Sequence, residues 1–286
     1  VLGEPLVSIL IPFRDKPALL MSCVNSILER TDYRNFEIIG IDNGSVDAQV
    51  KVARETLEKR DSRVRFLDFD APFNYSAINN FAASQSSGEH LLMLNNDTEV
   101  ISAEWLRAML EHSQRPEVGV VGAQLLYPDR SLQHAGVIIG LGGVAGHSHL
   151  MLPTGHPGYF SRPRLIQNLS AVTFACAMTR REVFEQLGGL NDRELTVAFN
   201  DIDYCLRARE AGYLVVYTPY ASLFHRESKT RGLDVSPEKR ARFSAEIDYM
   251  QSRHSGVFKH GDPYYNPHLS LLENFQPDFR YADALP

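Results

Sequence analysis

His90-Leu91-Leu92-Met93-Leu94-Asn95-Asn96-Asp97-Thr98-Glu99-Val100 carries the strongest structural signal in the chain. Four apolar residues run directly into a polar tip that ends in a carboxylate. A buried strand with an acid at its C-terminal end is how open α/β sheets build ligand crevices. An acidic tip suits a divalent cation that holds phosphates, because hard cations take oxygen ligands. Asn-Asn-Asp-Thr is also ordinary turn chemistry, since Asn and Asp bond their own backbone. The surrounding segments have to separate the two.

Upstream, apolar runs alternate with helical patterns. Val7 to Ile11 reads as a buried strand stopped by Pro12. Pro17 to Glu29 has Leu19, Leu20, Cys23, Val24, Ile27 and Leu28 at helical spacing, with Pro17 suited to a first turn. Phe36 to Asp42 is a second strand, residues 46–59 a helix and Val64 to Leu67 a third strand. A helix over about 75–86 leads into the strand 90–94. This order predicts a parallel sheet with helical crossovers.

Downstream the order loosens. Ala103 to His112 reads as a helix and Val118 to Tyr127 as a strand. Residues 140–164 are rich in Gly, Pro and His without a clear period, as in functional or disordered loops. Leu169 to Thr179 reads as one strand, Arg181 to Leu187 as a helix ended by Gly188-Gly189. Ile202 to Ala211 reads as a short helix, and Leu214 to Tyr217 as a strand closed by Pro219. Ser236-Pro237-Glu238 has the residues of a helix start. The segment after about residue 254 is expected to wrap the surface.

Composition limits the function classes. The chain has 286 residues, 44% of them hydrophobic, enough for one large core. The formal net charge of −6 gives no broad basic surface, so nucleic acid is not an expected partner. No apolar run approaches the roughly 20 residues of a membrane span. Cys23, Cys176 and Cys205 are odd in number and far apart, as expected in a reducing compartment. The chain opens at Val1 rather than Met, as a segment of a longer protein would.

Four polar clusters stand at strand ends or helix starts: Pro12-Phe13-Arg14-Asp15, Asp42-Asn43-Gly44-Ser45, the Asp97 tip, and Phe199-Asn200-Asp201-Ile202-Asp203-Tyr204. Taken singly, Asp42 could start a turn, Asp201 or Asp203 could cap a helix, and Arg14 could be a solvated charge. The first three fall at the C-terminal ends of strands of one sheet, where a ligand crevice belongs. No GxxxxGK[ST] occurs, and no GxGxxG opens a helix after a strand, so a nucleotide is not expected to be held in a P-loop or dinucleotide manner. HExxH and GxSxG are absent too.

With these residues in order, the chain resembles the family 2 glycosyltransferases, over about residues 6–232. Val7 to Pro12 is similar to the family's opening strand, and Ile41-Asp42-Asn43-Gly44-Ser45-Val46-Asp47 to its "vDNGStD" segment. Asn80 through Gly88-Glu89 matches the stretch before the metal motif. Leu94-Asn95-Asn96-Asp97 occupies the DXD position. Phe199 to Arg207 is similar to the "EDvDlclR" helix, and Ala211-Gly212-Tyr213 and Pro219 through His225-Arg226-Glu227-Ser228 continue the pattern.

The resemblance implies a GT-A fold, Rossmann-like with a mostly parallel sheet flanked by helices, and a C-terminal helical extension. It implies a transferase domain over 1–235, with a donor half to about 100 and an acceptor half beyond it, followed by a helix and tail over 236–286. The implied activity is inverting transfer of a sugar from a nucleoside-diphosphate donor, UDP- or dTDP-linked, to a hydroxyl of a glycan or lipid-linked glycan. The implied setting is bacterial surface polysaccharide or cell-wall assembly, in the cytoplasm or at the inner face of the membrane. Asp42 would bond the pyrimidine base, and Pro12, Phe13, Arg14, Asn43, Asn80, Asn95 and Asn96 would line the nucleotide-sugar pocket. Asp97 and His225 would hold Mn²⁺ or Mg²⁺ on the diphosphate. Asp201 would be the general base, with Asp203 its rival.

Two positions depart from the family pattern. Asn95 replaces the first acid of the DXD motif, which leaves Asp97 as the sole carboxylate of that tripeptide. Asn200 replaces the Glu beside the base, which removes a like charge that would raise the base's pKa. These departures leave a catalytically impaired carbohydrate-binding module as one alternative. A sugar nucleotidyltransferase is another, although its Gly-rich loop after the first strand is replaced by Pro12-Phe13-Arg14-Asp15-Lys16. His147, His149 and His156 are expected in a loop near the acceptor rather than in a second metal site.

Overall fold

The computed structural model describes residues 1–226 and 236–278. Its first half alternates strands and helices: β1 (Val7–Phe13), α1 (Pro17–Arg30), β2 (Phe36–Asp42), α2 (Ala48–Arg60), β3 (Val64–Asp68), α3 (Tyr75–Ser84) and β4 (His90–Leu94). The second half continues with β5 (Thr98–Val100), α4 (Trp105–Ser113), β6 (Val118–Leu126), β7 (Leu132–His134), β8 (Val137–Ile139), β9 (Ala145–His147), β10 (Gln167–Leu169), β11 (Cys176–Arg180), α5 (Arg181–Gln186), α6 (Asn200–Glu210) and β12 (Leu214–His225). After the undescribed segment come α7 (Pro237–Arg253) and α8 (Ser255–His260).

The main sheet runs β10-β12-β6-β11-β4-β1-β2-β3, with β5 beside β12 and β7 beside β6. Strands β1 to β4 pair in parallel, as their helical crossovers require. β11 enters antiparallel between β4 and β6, and β10 and β5 lie antiparallel to β12. The sheet is therefore mixed, with its parallel part in the first half, where the alternating strands and helices predict it.

Side-chain alternation divides the core. Ile9, Ile11, Leu92 and Leu94 pack with α1, α2 and α4, while Leu10, Leu91 and Met93 pack with α3, α5 and α6. This is the two-residue period of a strand buried on both faces. Met250 of α7 joins the second of these layers. A smaller cluster of Ile138, Leu141 and Tyr265 fixes the tail onto the β8–β9 hairpin.

Several boundaries differ from the sequence expectation. β1 continues through Pro12 to Phe13. Its pairing with β4 ends at Leu10, so Pro12 has a strand neighbour on one side only and its missing N–H costs little. The expected strand 169–179 is two strands, β10 and β11, on different parts of the sheet. Pro219 does not close β12, because a register shift between Thr218 and Ser222 absorbs it and pairing resumes to Phe224. The long Gly- and His-rich segment includes the β9 strand of a hairpin. Glu227 and Ser228 of the family match lie outside the described residues, as does the expected boundary at 235.

Candidate active site

The site forms along the C-terminal ends of β1, β2 and β4, which the parallel register brings to one edge. Phe13 is level with Asp42, and β4 lies on the other side of β1. Asp42 is nearly buried. Its Oδ1 accepts the Ser45 N–H at 2.8 Å, and its Oδ2 lies 3.2 Å from Arg54. Arg54 reaches on to Asp68 at the end of β3, at 2.5 Å. These residues, with Gly44, Ser45 and Lys51, line an open cavity of about 500 Å³, within the size range of small-molecule sites.

Asp15 supports the same loop. Its Oδ1 accepts N–H bonds from Val46 and Asp47, at 2.7 and 2.9 Å, and those bonds hold its carboxyl below the usual range. Phe13 is buried edge-to-face against Phe66, so it is a core residue under the pocket rather than part of its lining. Pro12 is buried beside it. Arg14 is more than half exposed and only loosely near Asp15, at 4.0 Å. Asn43 donates to the carbonyls of Phe69 and Ala71, tying the end of β3 to β2.

Asp97 meets His225 because β5 and β12 are antiparallel, with Thr98 opposite His225. The Asp97 Oδ1 lies 3.2 Å from His225 Nε2, and the Arg226 N–H donates to the Asp97 carbonyl at 3.0 Å. Asn95 Nδ2 is 3.3 Å from the same imidazole nitrogen. The other nitrogen, Nδ1, is 2.7 Å from Gln133 Oε1. Asn96 is buried, and its Nδ2 has no hydrogen-bond partner among the described residues. A buried donor without a partner is costly, so it suits a site that receives an anionic oxygen.

A carboxylate oxygen and an imidazole nitrogen in contact fit Mn²⁺ better than Mg²⁺, which would rest on Asp97, water and phosphate oxygens. Among the described residues no group of three or more His, Cys, Asp or Glu side chains gathers for a metal. Asp97 and His225 would thus be the protein's share of such a site.

Asp201 stands in the first turn of α6. Its Oδ2 accepts the Phe174 N–H at 3.2 Å, and its Oδ1 accepts the Ile202 N–H at 2.9 Å. Phe174 precedes β11, and the next residue, Ala175, accepts the Asn95 N–H at 3.0 Å. A short run of backbone therefore joins Asp201 to the Asp97 tip. Asp203 is elsewhere. It is fully buried, 2.7 Å from Arg207 and 2.9 Å from His254. Both of its oxygens are committed to the interior, which excludes it as the rival base.

Asn80 is also drawn away from the expected pocket. Its amide donates to the Leu190 carbonyl and accepts the Leu190 N–H, both at 2.9 Å, and so clamps α3 to the turn after α5. The three loop histidines separate. His147 contacts His134 at 2.9 Å, His149 stacks on Phe275, and His156 accepts the Gly158 N–H. Arg54, Asp15 and Gln133 touch the candidate site through Asp42, Val46 and His225, and the sequence alone gives them no role. Asp15 stood within a singled-out cluster, whereas Arg54 sits mid-helix and Gln133 in a short strand with no local signal.

Comparison with known proteins decides the family. A profile described as glycosyl transferase family 2 matches residues 8–188. The chain belongs to this family. As a family 2 member it is 55% identical over 272 residues to the uncharacterized protein y4gI of Sinorhizobium fredii, covering 95% of this chain and 30% of that protein. It is 43% identical to the O-antigen biosynthesis protein RfbC of Myxococcus xanthus, over 95% of this chain and 21% of that one. The chain thus spans less than a third of these relatives' lengths. An N-acetylglucosaminyl-diphospho-decaprenol L-rhamnosyltransferase of Mycobacterium tuberculosis is 26% identical over 79% of this chain and 78% of its own.

Two solved structures show the fold. The mannosyltransferase PcManGT of Pyrobaculum calidifontis, in complex with GDP-Man and Mn²⁺, superposes with a TM-score of 0.64 at 16% identity, over 91% of this chain and 71% of that one. GalNAc-T7, with UDP, GalNAc and Mn²⁺, gives 0.69 at 15% identity, over 89% of this chain and 52% of that one. The family 2 chain has the GT-A fold. Among its described residues no helix is long and apolar enough to cross a membrane.

Proposed function

We propose that this chain is a glycosyltransferase domain that moves a sugar, with inversion, from a nucleoside-diphosphate donor to a hydroxyl of a glycan or lipid-linked glycan. The contact between Asp97 and His225, on the sheet edge that also holds Asp42 and Asp201, carries this reading. The nucleoside would occupy the cavity of Asp42, Arg54 and Asp68. UDP and dTDP are the favoured carriers, with a hexose or rhamnose as the sugar. The rhamnosyltransferase and O-antigen relatives support polysaccharide or cell-wall assembly as the setting.

Each residue's part follows from its chemistry. Asp97 and His225 would hold Mn²⁺ or Mg²⁺, which supplies positive charge against the departing diphosphate. The buried Asn96 amide donates to an oxygen of the donor. Asp201 accepts the proton of the attacking hydroxyl as the new bond forms. Its two N–H bonds hold the carboxylate still and leave further lone pairs for that proton. One base and one in-line displacement invert the anomeric centre and need no covalent nucleophile.

Thermal unfolding with UDP, dTDP and GDP, each with and without Mn²⁺, tests the reading. Binding to the native state raises the melting temperature by mass action. One diphosphate should stabilise the protein only with metal present, and Asp97→Ala should abolish the increment. Equal stabilisation in EDTA would refute metal-assisted binding. Retention of the donor's anomeric configuration in the product would refute the single-base mechanism.

A further inference from the structure

We propose that Gln133 is a positioning residue for the metal site: its side-chain carbonyl holds His225 in the tautomer that aims the Nε2 lone pair at Asp97. The inference rests on the metal reading above and names a residue outside the family motifs.

The two amides beside His225 place the hydrogen of the neutral ring on Nδ1, and a cation between Nε2 and Asp97 Oδ1, 3.2 Å apart, is what makes a lone pair facing that carboxylate favourable. Gln133 is 2% exposed. Its Nε2 donates to the His225 carbonyl at 3.4 Å, which turns its Oε1 toward His225 Nδ1 at 2.7 Å. A carbonyl oxygen only accepts, so Nδ1 must carry the hydrogen. On the other side of the ring, Asn95 Nδ2 donates toward Nε2 at 3.3 Å, which requires a lone pair there. The hydrogen bond made by one ring nitrogen selects what the other can do. Without the Gln133 acceptor the hydrogen is free to move to Nε2. His225 would then donate to the Asp97 carboxylate, and both groups would be lost to a cation.

The backbone around Gln133 is built to hold it. Leu132 donates to the Leu152 carbonyl at 2.9 Å and accepts from Met151 at 2.8 Å. The next side chain, His134, is fully buried, and its Nε2 accepts N–H bonds from Gly136 and Thr173 at 3.3 and 3.4 Å. Thr173 precedes Phe174, whose N–H binds Asp201. β7 is thereby tied to both the Asp97–His225 pair and the Asp201 end of the site. Partners that fix a metal-binding imidazole typically contribute roughly 10–100-fold to metal affinity.

The test is a Mn²⁺ titration, read from the electron paramagnetic resonance of the free ion, on the wild-type, His225→Ala, Gln133→Leu and Gln133→Glu proteins. Gln133→Glu keeps an acceptor at Nδ1 and should bind Mn²⁺ within about threefold of wild type. Gln133→Leu should weaken binding roughly 10–100-fold, toward His225→Ala. Nitrogen-15 spectra, with the His225 signal assigned by its loss in His225→Ala, should show hydrogen on Nδ1 in wild type and a shift toward Nε2 in Gln133→Leu. If Gln133→Leu does not fold, Gln133→Asn, whose shorter side chain falls away from Nδ1, takes its place. Wild-type affinity in the Leu or Asn variant, or hydrogen on Nε2 in the wild type, would overturn the proposal. A wild-type protein that binds no Mn²⁺ would refute the metal reading, while the nitrogen spectra would still decide the role of Gln133.

Discussion

Asp201 and Asp203 are two residues apart on α6, and a helix turns about 200° over that interval, so they face opposite sides. Asp201 stays at the sheet edge, partly open, with its carboxylate on two backbone N–H groups. Asp203 points inward to Arg207 and His254. Burial pushes the Asp203 carboxyl up, but the bond from His254 and the charge and bond of Arg207 bring it below its ordinary value. Such a group adds stability above the unfolded pKa of about 3.9, and that contribution is lost as pH falls through the lower folded value. Asp203→Asn should therefore cost about 3–5 kcal/mol at pH 7, the usual cost of breaking a buried pair. The gap to wild type in urea unfolding should narrow below pH 4. Asp201→Asn should instead leave unfolding nearly unchanged and lower kcat by roughly 10²–10⁴-fold, the span of a general base. A kcat near wild type for Asp201→Asn would remove it from the mechanism. The sequence places both acids at the helix start and ranks Asp201 first only through the family resemblance, because the partners that bury Asp203 are Arg207 at i+4 and His254 some fifty residues away.

At the scale of elements, each functional side chain depends on contacts between segments distant in sequence. His225 reaches the site only because β12 passes its bulge and continues to pair with β6 and β5. The pattern at Leu214 to Pro219 shows the start of that strand, and nothing local announces its resumption. β1, β2 and β4 were legible because both faces are buried and apolar runs have few other uses. β5, β7 and β9 were not, because three residues are too short to show a period. The same dependence governs α7, which anchors the loop before α6. Glu246 is 1% exposed and accepts the Val197 N–H at 2.9 Å and the Thr196 hydroxyl at 3.2 Å. Thr196 in turn accepts the Tyr75 N–H at 2.7 Å, which carries the link to α3. Glu246→Ala leaves the part-buried Val197 N–H without its acceptor, a loss of about 1 kcal/mol. It should speed amide hydrogen exchange at Val197 more than at Ile9 in the sheet. Unchanged exchange at Val197 would mean that the loop holds its place without α7.

For the whole molecule, the first half was legible as alternating strands and helices, while the mixed second half hid its strand directions. The tertiary fold also sets a property that composition conceals: where the histidines lie. His90 is buried beside Ser113, and burial, then the charge of Arg180, push its pKa down to about 4. His149, packed on Phe275, is likewise pushed down to about 4 by burial and then by Arg162. His134 is held well below its ordinary value by burial and by neighbouring imidazoles. All three remain neutral in the fold near neutral pH and take up a proton on unfolding. Their contribution is complete above the unfolded pKa of about 6.5 and is lost as pH falls toward the folded value. Between pH 7 and pH 5, His90 and His149 should each cost about 2 kcal/mol, with His134 adding to the loss in the same direction. Urea unfolding at the two pH values should show a drop on the order of 4 kcal/mol, a large share of a typical domain's stability. His90→Gln should reduce that drop by about 2 kcal/mol, because glutamine takes up no proton on unfolding. Equal stability at pH 7 and pH 5 would show that these imidazoles meet water in the native state, which their packing between strands, helices and tail forbids.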